Sequence, residues 1–572
     1  MYIDTVPNRH SPPAILLREG WREGAKTRKR TLANLSHWPA HKVETLRRLL
    51  RDEVLVSPAD LFETERTRPH GHVEAVLGTI RQLGLDRIIA SKRSRERDLV
   101  IAMIAERLVQ PCSKLETTRV WHTTTLAEEL QVTDANEDEL YAAMDWLSAR
   151  QDRIEQQLAA RHLREGGVVL YDLSSSYYEG RTCSLARFGH DRDGRTGCPI
   201  IVYGVVTDGD GRPVAVSVYP GNTSDSTTVP DQIQKLRQRF GLAHLVLVGD
   251  RGVLTQPQIE RLQTQPGLGW ITALRSVAIR ALVTAGALQL SLFDEQHLAE
   301  ITAPAFPGER LVACYNPLLA EERRRKRRAL LEATERDLTK LAREVARRTK
   351  TPLNGAAIGL KAGKILARDK MGKHFALTID DGTFQWARRE AAIEMEAKLD
   401  GIYVIRTSEP AERLSAEDTV RTYKSLAHVE RAFRCLKGID LLVRPIRHRT
   451  DRRVPAHIFL CMLAYYVEWQ MRRALAPVLF EDADLPAART RRDPVLPATC
   501  SAAAQQKKAT HLTPDGLPVH SFHSLLADLA TRCRNIVRLK RDASVTFSQV
   551  PPPTPLQRRA YELLGLLPVA GN

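Results

Sequence analysis

Three acidic residues mark where this sequence could do chemistry. Asp172 follows the apolar run Gly167-Val168-Val169-Leu170-Tyr171, and Asp250 follows His244-Leu245-Val246-Leu247-Val248-Gly249. Each reads as closing a short strand, which sets its carboxylate at a sheet edge instead of in the core. Two such acids brought together repel, and Mg²⁺ or Mn²⁺, hard cations that take oxygen ligands, relieve the repulsion. The plainer alternative for either is a helix cap or a turn. Glu430 is the third. On a helix expected over 424–437, Tyr423, Glu430, Arg434 and Lys437 share one side, while Leu426, Val429, Phe433 and Leu436 form the apolar stripe. An acid beside two cations suits a metal site flanked by phosphate contacts. It equally suits an ordinary surface pair of Glu430 with Arg434, and periodicity does not separate the two.

The elements that would position these acids follow from pattern. After Asp172 come strands at Ile201–Thr207 and Pro213–Tyr219, joined by the turn Asp208-Gly209-Asp210-Gly211. A helix is expected at 228–240, then strands at His244–Val248 and Trp270–Leu274. Residues 276–395 interrupt this α/β core. Within them a long helix over Glu321–Arg348 opens with the run Arg323-Arg324-Arg325-Lys326-Arg327-Arg328 and carries Leu331, Thr334, Leu338, Leu341 and Val345 at three-four spacing. That run is either a DNA contact or a solvated face. The strand Leu399–Thr407 resumes the core, and an apolar helix at 455–474 follows a basic cluster of Arg444, Arg447, Arg449, Arg452 and Arg453.

The flanks are less regular. Residues 1–90 read as a mixed α/β segment with short strands and a helix from Lys42 to Leu50, a candidate DNA contact. Residues 91–165 read as helical, either a DNA-binding module or a bundle that packs on the next domain, with Leu99, Ile101, Met103, Ile104 and Leu108 on one face of a helix stopped by Pro111. The division that results is 1–90, 91–165, 166–275 and 396–478 for the two parts of the core, 276–395 for the interruption, and 479–572 for a linker and basic tail. Within the last piece, 480–520 reads as loop or disorder, followed by a helix near 521–533, a basic strand at Asn535–Lys540 and a helix at 554–565.

Composition narrows the class. Lys and Arg number 85 against 68 Asp and Glu in 572 residues, a net charge of +17, and this favours a polyanionic partner, nucleic acid ahead of anionic lipid. Eight cysteines in that length are too sparse for a disulfide scaffold and form no zinc-ligand ladder, so they read as reduced thiols. Cys183, His190 and Cys198 have ligand-like types but lack a fourth partner. Met1-Tyr2-Ile3-Asp4 lacks the basic patch and apolar run of a signal peptide, and the stretch 454–469 is too short and polar to span a bilayer, so neither secretion nor membrane insertion is expected. A cytoplasmic, nucleoid-associated protein is expected, with no membrane partner.

Several segments together resemble the DDE transposases of the IS4 superfamily, most nearly their IS1634-like group. Tyr423-Lys424-Ser425-Leu426-Ala427-His428-Val429-Glu430-Arg431-Ala432-Phe433-Arg434-Cys435-Leu436-Lys437 is similar to the tyrosine–glutamate–lysine signature. Tyr171 to Gly180 and Val246 to Gly252 resemble the segments around the two catalytic aspartates, Lys398 to Thr407 the strand before the glutamate helix, and Leu108 to Leu115 an early segment of the group. The wider superfamily has an arginine three residues after the signature tyrosine, where this chain has Leu426.

The resemblance implies an α/β, ribonuclease-H-like catalytic core with an insertion domain between the second aspartate and the glutamate. It implies metal ligands Asp172, Asp250 and Glu430, two Mg²⁺ or Mn²⁺ ions, and strand cleavage followed by 3′-hydroxyl transfer into target DNA. Lys437 joins the catalytic set. Tyr423, Arg434, Lys437, Arg444, Arg447, Arg449, Arg452 and Arg453 are the expected DNA contacts. The expected partners are double-stranded DNA with terminal inverted repeats, target DNA, and a second copy of the chain in the DNA complex. The alternatives are a non-catalytic DNA-binding protein derived from a transposase and a ribonuclease-H-like nuclease.

Overall fold

The two apolar runs that lead to Asp172 and Asp250 form the parallel centre of an eight-stranded sheet. They are seen in a computed structural model that describes the chain apart from His10, residues 54–60, Glu295, residues 485–491, Arg541 and residues 568–572. The described residues fall into two compact units.

The smaller unit comprises Met1–Arg68 and Cys533–Pro552. Strands β1 (Tyr2–Val6), β2 (Ala14–Glu23) and β3 (Lys26–Asn34) make an antiparallel sheet in that order. A helix spans Ala40–Leu49, and β4 (Phe62–Pro69) shares a second sheet with the tail strands Cys533–Leu539 and Asp542–Gln549. By sequence the tail is a separate C-terminal piece. Here its basic strand completes a sheet begun hundreds of residues earlier, and Thr67 Oγ1 donates to Asn535 Oδ1 at 2.9 Å.

The larger unit, Pro69–Arg532 with Pro553–Asn572, opens with a helix over Gly71–Gln82 that sequence periodicity left unassigned. Helices α1 (Arg95–Val109), α2 (Glu137–Ser148) and α3 (Gln151–His162) follow. Ser94 Oγ caps α1 by accepting from the Arg97 N–H, and Asn136 with Glu139 forms a capping box on α2. The expected amphipathic face of α1 is in fact a helix buried all round, from Asp98 to Leu108. Glu106 is enclosed with it, and burial pushes its carboxyl up to about 8 against the pull of Arg107 and Lys114. A carboxylate raised in this way stabilises the fold while protonated and loses that contribution as pH climbs from its unfolded value toward 8. Glu106→Gln is therefore expected to match or exceed the parent in stability, with the gap widening from pH 6 to pH 9 in urea titrations, by about 1–3 kcal/mol. A gap that narrows with rising pH would contradict this.

Ten of the described strands belong to this unit. The main sheet uses β5 (Val168–Tyr177), β6 (Ile200–Asp208), β7 (Pro213–Pro220), β8 (Leu245–Val248), β9 (Leu268–Ala273), β10 (Leu298–Ile301), β11 (Arg310–Tyr315) and β14 (Ile402–Thr407). Their order is β10-β11-β14-β9-β8-β5-β6-β7, with β8 parallel to both β5 and β9 and every other pairing antiparallel. β6, β8 and β9 are apolar almost without break, as sheet strands covered on both faces are, whereas β5 is apolar only up to Tyr171.

Residues 276–395 divide in two. β10 and β11 extend the main sheet, whereas helix α4 (Pro317–Arg347), helix α5 (Gly355–Arg368) and the hairpin of β12 (Phe375–Asp380) with β13 (Thr383–Arg388) share a core of their own around Leu338, Leu341, Ile358 and Phe375. The stripe read on the long helix is the side that enters this core, so it packs against a helical hairpin partner and not a free coiled coil.

The helix expected over 424–437 is α7 (Leu426–Lys437); a further helix, α6 (Ala416–Lys424), leads into it through a turn at Ser425, whose hydroxyl donates to the Thr422 carbonyl. Helix α8 (Arg453–Leu475) is buried over most of its length and packs against α1, α2 and β7. Among the described residues no helix is long and apolar enough to cross a membrane. Residues 480–520, expected as loop, contain a helix at Ala502–Thr510 that is capped by Ser501; its Lys507 ammonium binds the carbonyls of Ala476, Leu479 and Glu481. The stretch 485–491 lies outside the described residues. All eight cysteines are free thiols.

Candidate active site

Register brings the two aspartates together. β5 pairs with β8 as Val168↔Val246, Val169↔Leu247 and Leu170↔Val248. Carried on by two residues, that register sets Asp172 level with Asp250, just beyond the end of β8. One expectation needs correcting here. Asp172 does not close its strand, because β5 runs on to Tyr177 against β6, with Asp172 opposite Val205. Its place at the edge comes from β8 stopping short.

The carboxylates are held by one oxygen each. Asp172 Oδ1 accepts the Leu173 N–H at 2.8 Å, and Asp250 Oδ1 accepts the N–H groups of Gly252 and Val253, both at 2.8 Å. Among the described residues the second oxygen of each accepts no hydrogen bond. Burial, then the nearby charge of Asp250, pushes the Asp172 carboxyl up to about 7; Asp225 adds to this and Arg192 opposes it. Two acids that resist joint ionisation, each with a bare oxygen, are a site shaped for a hard cation.

Helix α7 packs on β5 through Val429, Phe433 and Leu436, with the Phe433 ring 5.8 Å from that of Tyr203. This leaves Glu430 and Arg434 exposed. Tyr423, at the end of α6, lies within the field of Asp250, Asp172 and Glu430 together; burial first, then those charges, raises its hydroxyl to about 12. The start of α7 is seated by the Asp208–Gly211 turn. His428 Nδ1 bonds the Asp210 carbonyl at 2.9 Å, and Gly211 has φ +84°, where an added Cβ would strike His428 Cβ. Gly211→Val is accordingly expected to lower stability by about 2 kcal/mol, read as a shift in the urea midpoint. Asp208 Oδ1 accepts from the N–H groups of Asp210 and Arg212, the turn role expected of it.

The predicted phosphate contacts fare unevenly. Arg434 is exposed and Arg449 is exposed. Lys437 is engaged elsewhere: its Nζ donates to Asp193 Oδ1 at 3.0 Å, Arg444 reaches the same oxygen at 2.6 Å, and the Tyr177 N–H occupies Asp193 Oδ2. Asp193 is 1% exposed in its side chain. Arg447 pairs with Glu179 at 3.1 Å, and Arg452 and Arg453 both turn to Asp145, with Arg453 also over the Tyr141 ring. Asp193 and Asp225, which pairs with Arg192, were invisible to sequence reasoning because both lie on connections whose folding-back has no periodic signal.

A second acidic group needs separating from this one. Cys435, Asp440 and Glu468 offer ligand atoms within 4.8 Å of one another. The Arg472 guanidinium already fills that space, bonding Glu468 at 2.5 Å, Asp440 at 3.2 Å and Glu481 at 3.0 Å. It is a buried ion-pair knot behind α7. Asp172, Asp250 and Glu430 do not meet that close spacing as a set.

Comparison with known proteins gives the class. The family described as transposase DDE domain matches residues 179–467, which include Asp250 and Glu430 and begin just after Asp172. The chain belongs to that family, and its function is that of a DDE transposase. Among solved structures, a piggyBac transposase synaptic complex with hairpin DNA aligns at 10% identity and a TM-score of 0.34, over 80% of this chain and 76% of that one. No curated protein matches the chain.

Proposed function

We propose that this chain is the transposase of an insertion sequence of the IS4 superfamily, IS1634-like group, which cuts DNA at the element ends and joins the freed 3′-hydroxyl to target DNA. The observation that carries the proposal is the β5–β8 register, which carried on by two residues brings Asp172 level with Asp250, while Glu430 is exposed on α7, the helix packed on β5. The run β7-β6-β5-β8-β9, antiparallel through the first three and parallel through the last three, supports a ribonuclease-H-like core, with α4, α5, β12 and β13 as its insertion.

Asp172, Asp250 and Glu430 form an all-oxygen donor set suited to Mg²⁺ or Mn²⁺, with Asp172 as the ligand shared between two ions. Bound there, the ions would lower the pKa of the attacking water and stabilise the leaving oxygen. The protein's part is to aim and hold. Backbone N–H groups fix one oxygen of each aspartate so that the other faces outward. Tyr423 orients Glu430, and Arg434, one turn beyond it, takes a DNA phosphate together with Arg449. Lys437 and Arg444 position the β5–β6 connection through Asp193. Duplex DNA carrying the terminal repeats, the target duplex and a second protomer are the proposed partners.

The test is cleavage of labelled DNA carrying the gene's flanking repeats, with Mg²⁺, Mn²⁺ or EDTA. Metal-dependent cuts at the repeat boundaries are expected. Specific binding with no cut under any condition would favour a non-catalytic end-binding protein, and cuts without regard to the boundaries a ribonuclease-H-like nuclease.

A further inference from the structure

The arginine-rich opening of α4 sits on the same sheet edge as the acids. Val248, the last residue of β8, is level with Ile271, and two residues on, Ala273 pairs with Ile405, which in turn pairs with Val312. β11 then continues to Tyr315 toward that same edge, and α4 begins at Pro317. Arg323 to Arg328 therefore lie about 9–17 Å along the helix from Pro317, at ~1.5 Å per residue, and β11, from which the helix starts, is three places from β8, about 14 Å across the sheet. One turn of duplex DNA, about 34 Å, spans distances of this size.

Two contacts pin this stretch in place. Gly401, with φ +79°, lets the chain before β14 approach so closely that an added Cβ would lie 2.5 Å from the Asn316 carbonyl oxygen and 2.8 Å from Ala320 Cβ. Two turns further on, Arg327 turns inward and binds Asp400 with both guanidinium nitrogens, Nη1 to Oδ1 at 2.8 Å, in a buried pair. Its neighbours do the opposite. Arg323, Arg324, Arg325, Lys326 and Arg328 are all exposed, and among the described residues none forms an ion pair. Most other arginines around the site are neutralised by acids, as Arg444, Arg447, Arg452 and Arg453 are. A rigidly anchored group of unpaired cations beside a catalytic edge matches the charge and rigidity of a duplex backbone.

We propose that Arg323, Arg324, Arg325, Lys326 and Arg328 form a phosphate clamp that holds duplex DNA at the acid edge, with Arg327 and Asp400 as its anchor. The clamp rests on the transposase reading above and adds where the DNA is gripped. It is tested with the full chain and a labelled duplex of the flanking repeat, in EDTA so that nothing is cut, by measuring affinity as salt is raised. Each phosphate the protein no longer neutralises makes the plot of log affinity against log salt shallower by about 0.9, so changing all five residues to Gln should move the slope by about 4.5 and weaken binding at least about tenfold. Replacing the four arginines by Lys should keep the slope. Arg336→Gln with Arg343→Gln and Arg347→Gln, at the far end of the same helix, should leave it unchanged. An unaltered slope in the five-site variant, or an equal drop in the far-end variant, overturns the clamp while leaving the transposase reading in place. A parent chain that binds no duplex overturns both.

Discussion

Replacing Asp172 with Asn should reduce metal-dependent cleavage at the element ends by about 10³-fold or more, roughly 4 kcal/mol of transition-state stabilisation, while duplex binding in EDTA stays within about twofold. Asp250→Asn should do the same. The two residues sit level at one sheet edge, each with a single oxygen fixed by backbone and the other bare, so the amide keeps the shape and removes the charge a cation needs. The fold should not suffer. Burial and Asp250 already disfavour the ionised Asp172 side chain, and a neutral amide removes that strain. The expected signature is abolished cleavage with an equal or higher melting temperature. Abolished cleavage accompanied by a fall of several degrees would assign Asp172 to structure instead, and retained cleavage would move the site elsewhere.

The second large effect is expected at Asp193. Asp193→Ala removes a buried carboxylate that holds Lys437, Arg444 and the Tyr177 N–H at once, and leaves the Lys437 ammonium facing an interior that already lowers its pKa. A loss of about 3 kcal/mol follows, measured by urea unfolding near neutral pH. Asp193→Asn, which keeps an acceptor for the Tyr177 N–H, should lose less. A loss under about 0.5 kcal/mol would mean the pair is screened like a surface one.

These two residues show what the sequence discloses and what it conceals. Asp172 and Asp250 stand out because an apolar strand delivers an acid only where the strand meets solvent, and that pattern is local. That they stand side by side is not local; it depends on where β8 stops against a β5 that runs on. The stripe Val429, Phe433, Leu436 discloses the buried side of α7 and so the outward side of Glu430. Nothing in the pattern discloses α6 ahead of it, because the turn at Ser425 keeps helical backbone angles and barely alters the periodicity. Lys437 and Arg444 read as free cations because their partner lies on a connection with no repeat of its own. Glu106 and Arg107 fall on the side of α1 away from its apolar stripe, yet α1 is enclosed by the neighbouring helix Gly71–Gln82 and α2 and by the distant α8. Charge in a sequence marks a solvated face only when no later segment comes to cover it.

The sheet that joins β4 to the strand Cys533–Leu539 has a consequence in time. Its two sides, tied by the bond from Thr67 to Asn535, are 468 positions apart in the chain. At ~5–20 residues added per second during synthesis, β4 waits about 25–95 s for its neighbour. Throughout that interval the nascent chain carries an open strand edge, the feature that invites wrong pairing. The strands bearing Asp172 and Asp250 and the helix bearing Glu430 all leave the ribosome earlier, so the acid site is assembled before this sheet closes. A reading frame broken between Leu475 and Cys533 would thus still encode every acid and helix α8 while leaving that strand edge permanently unpaired.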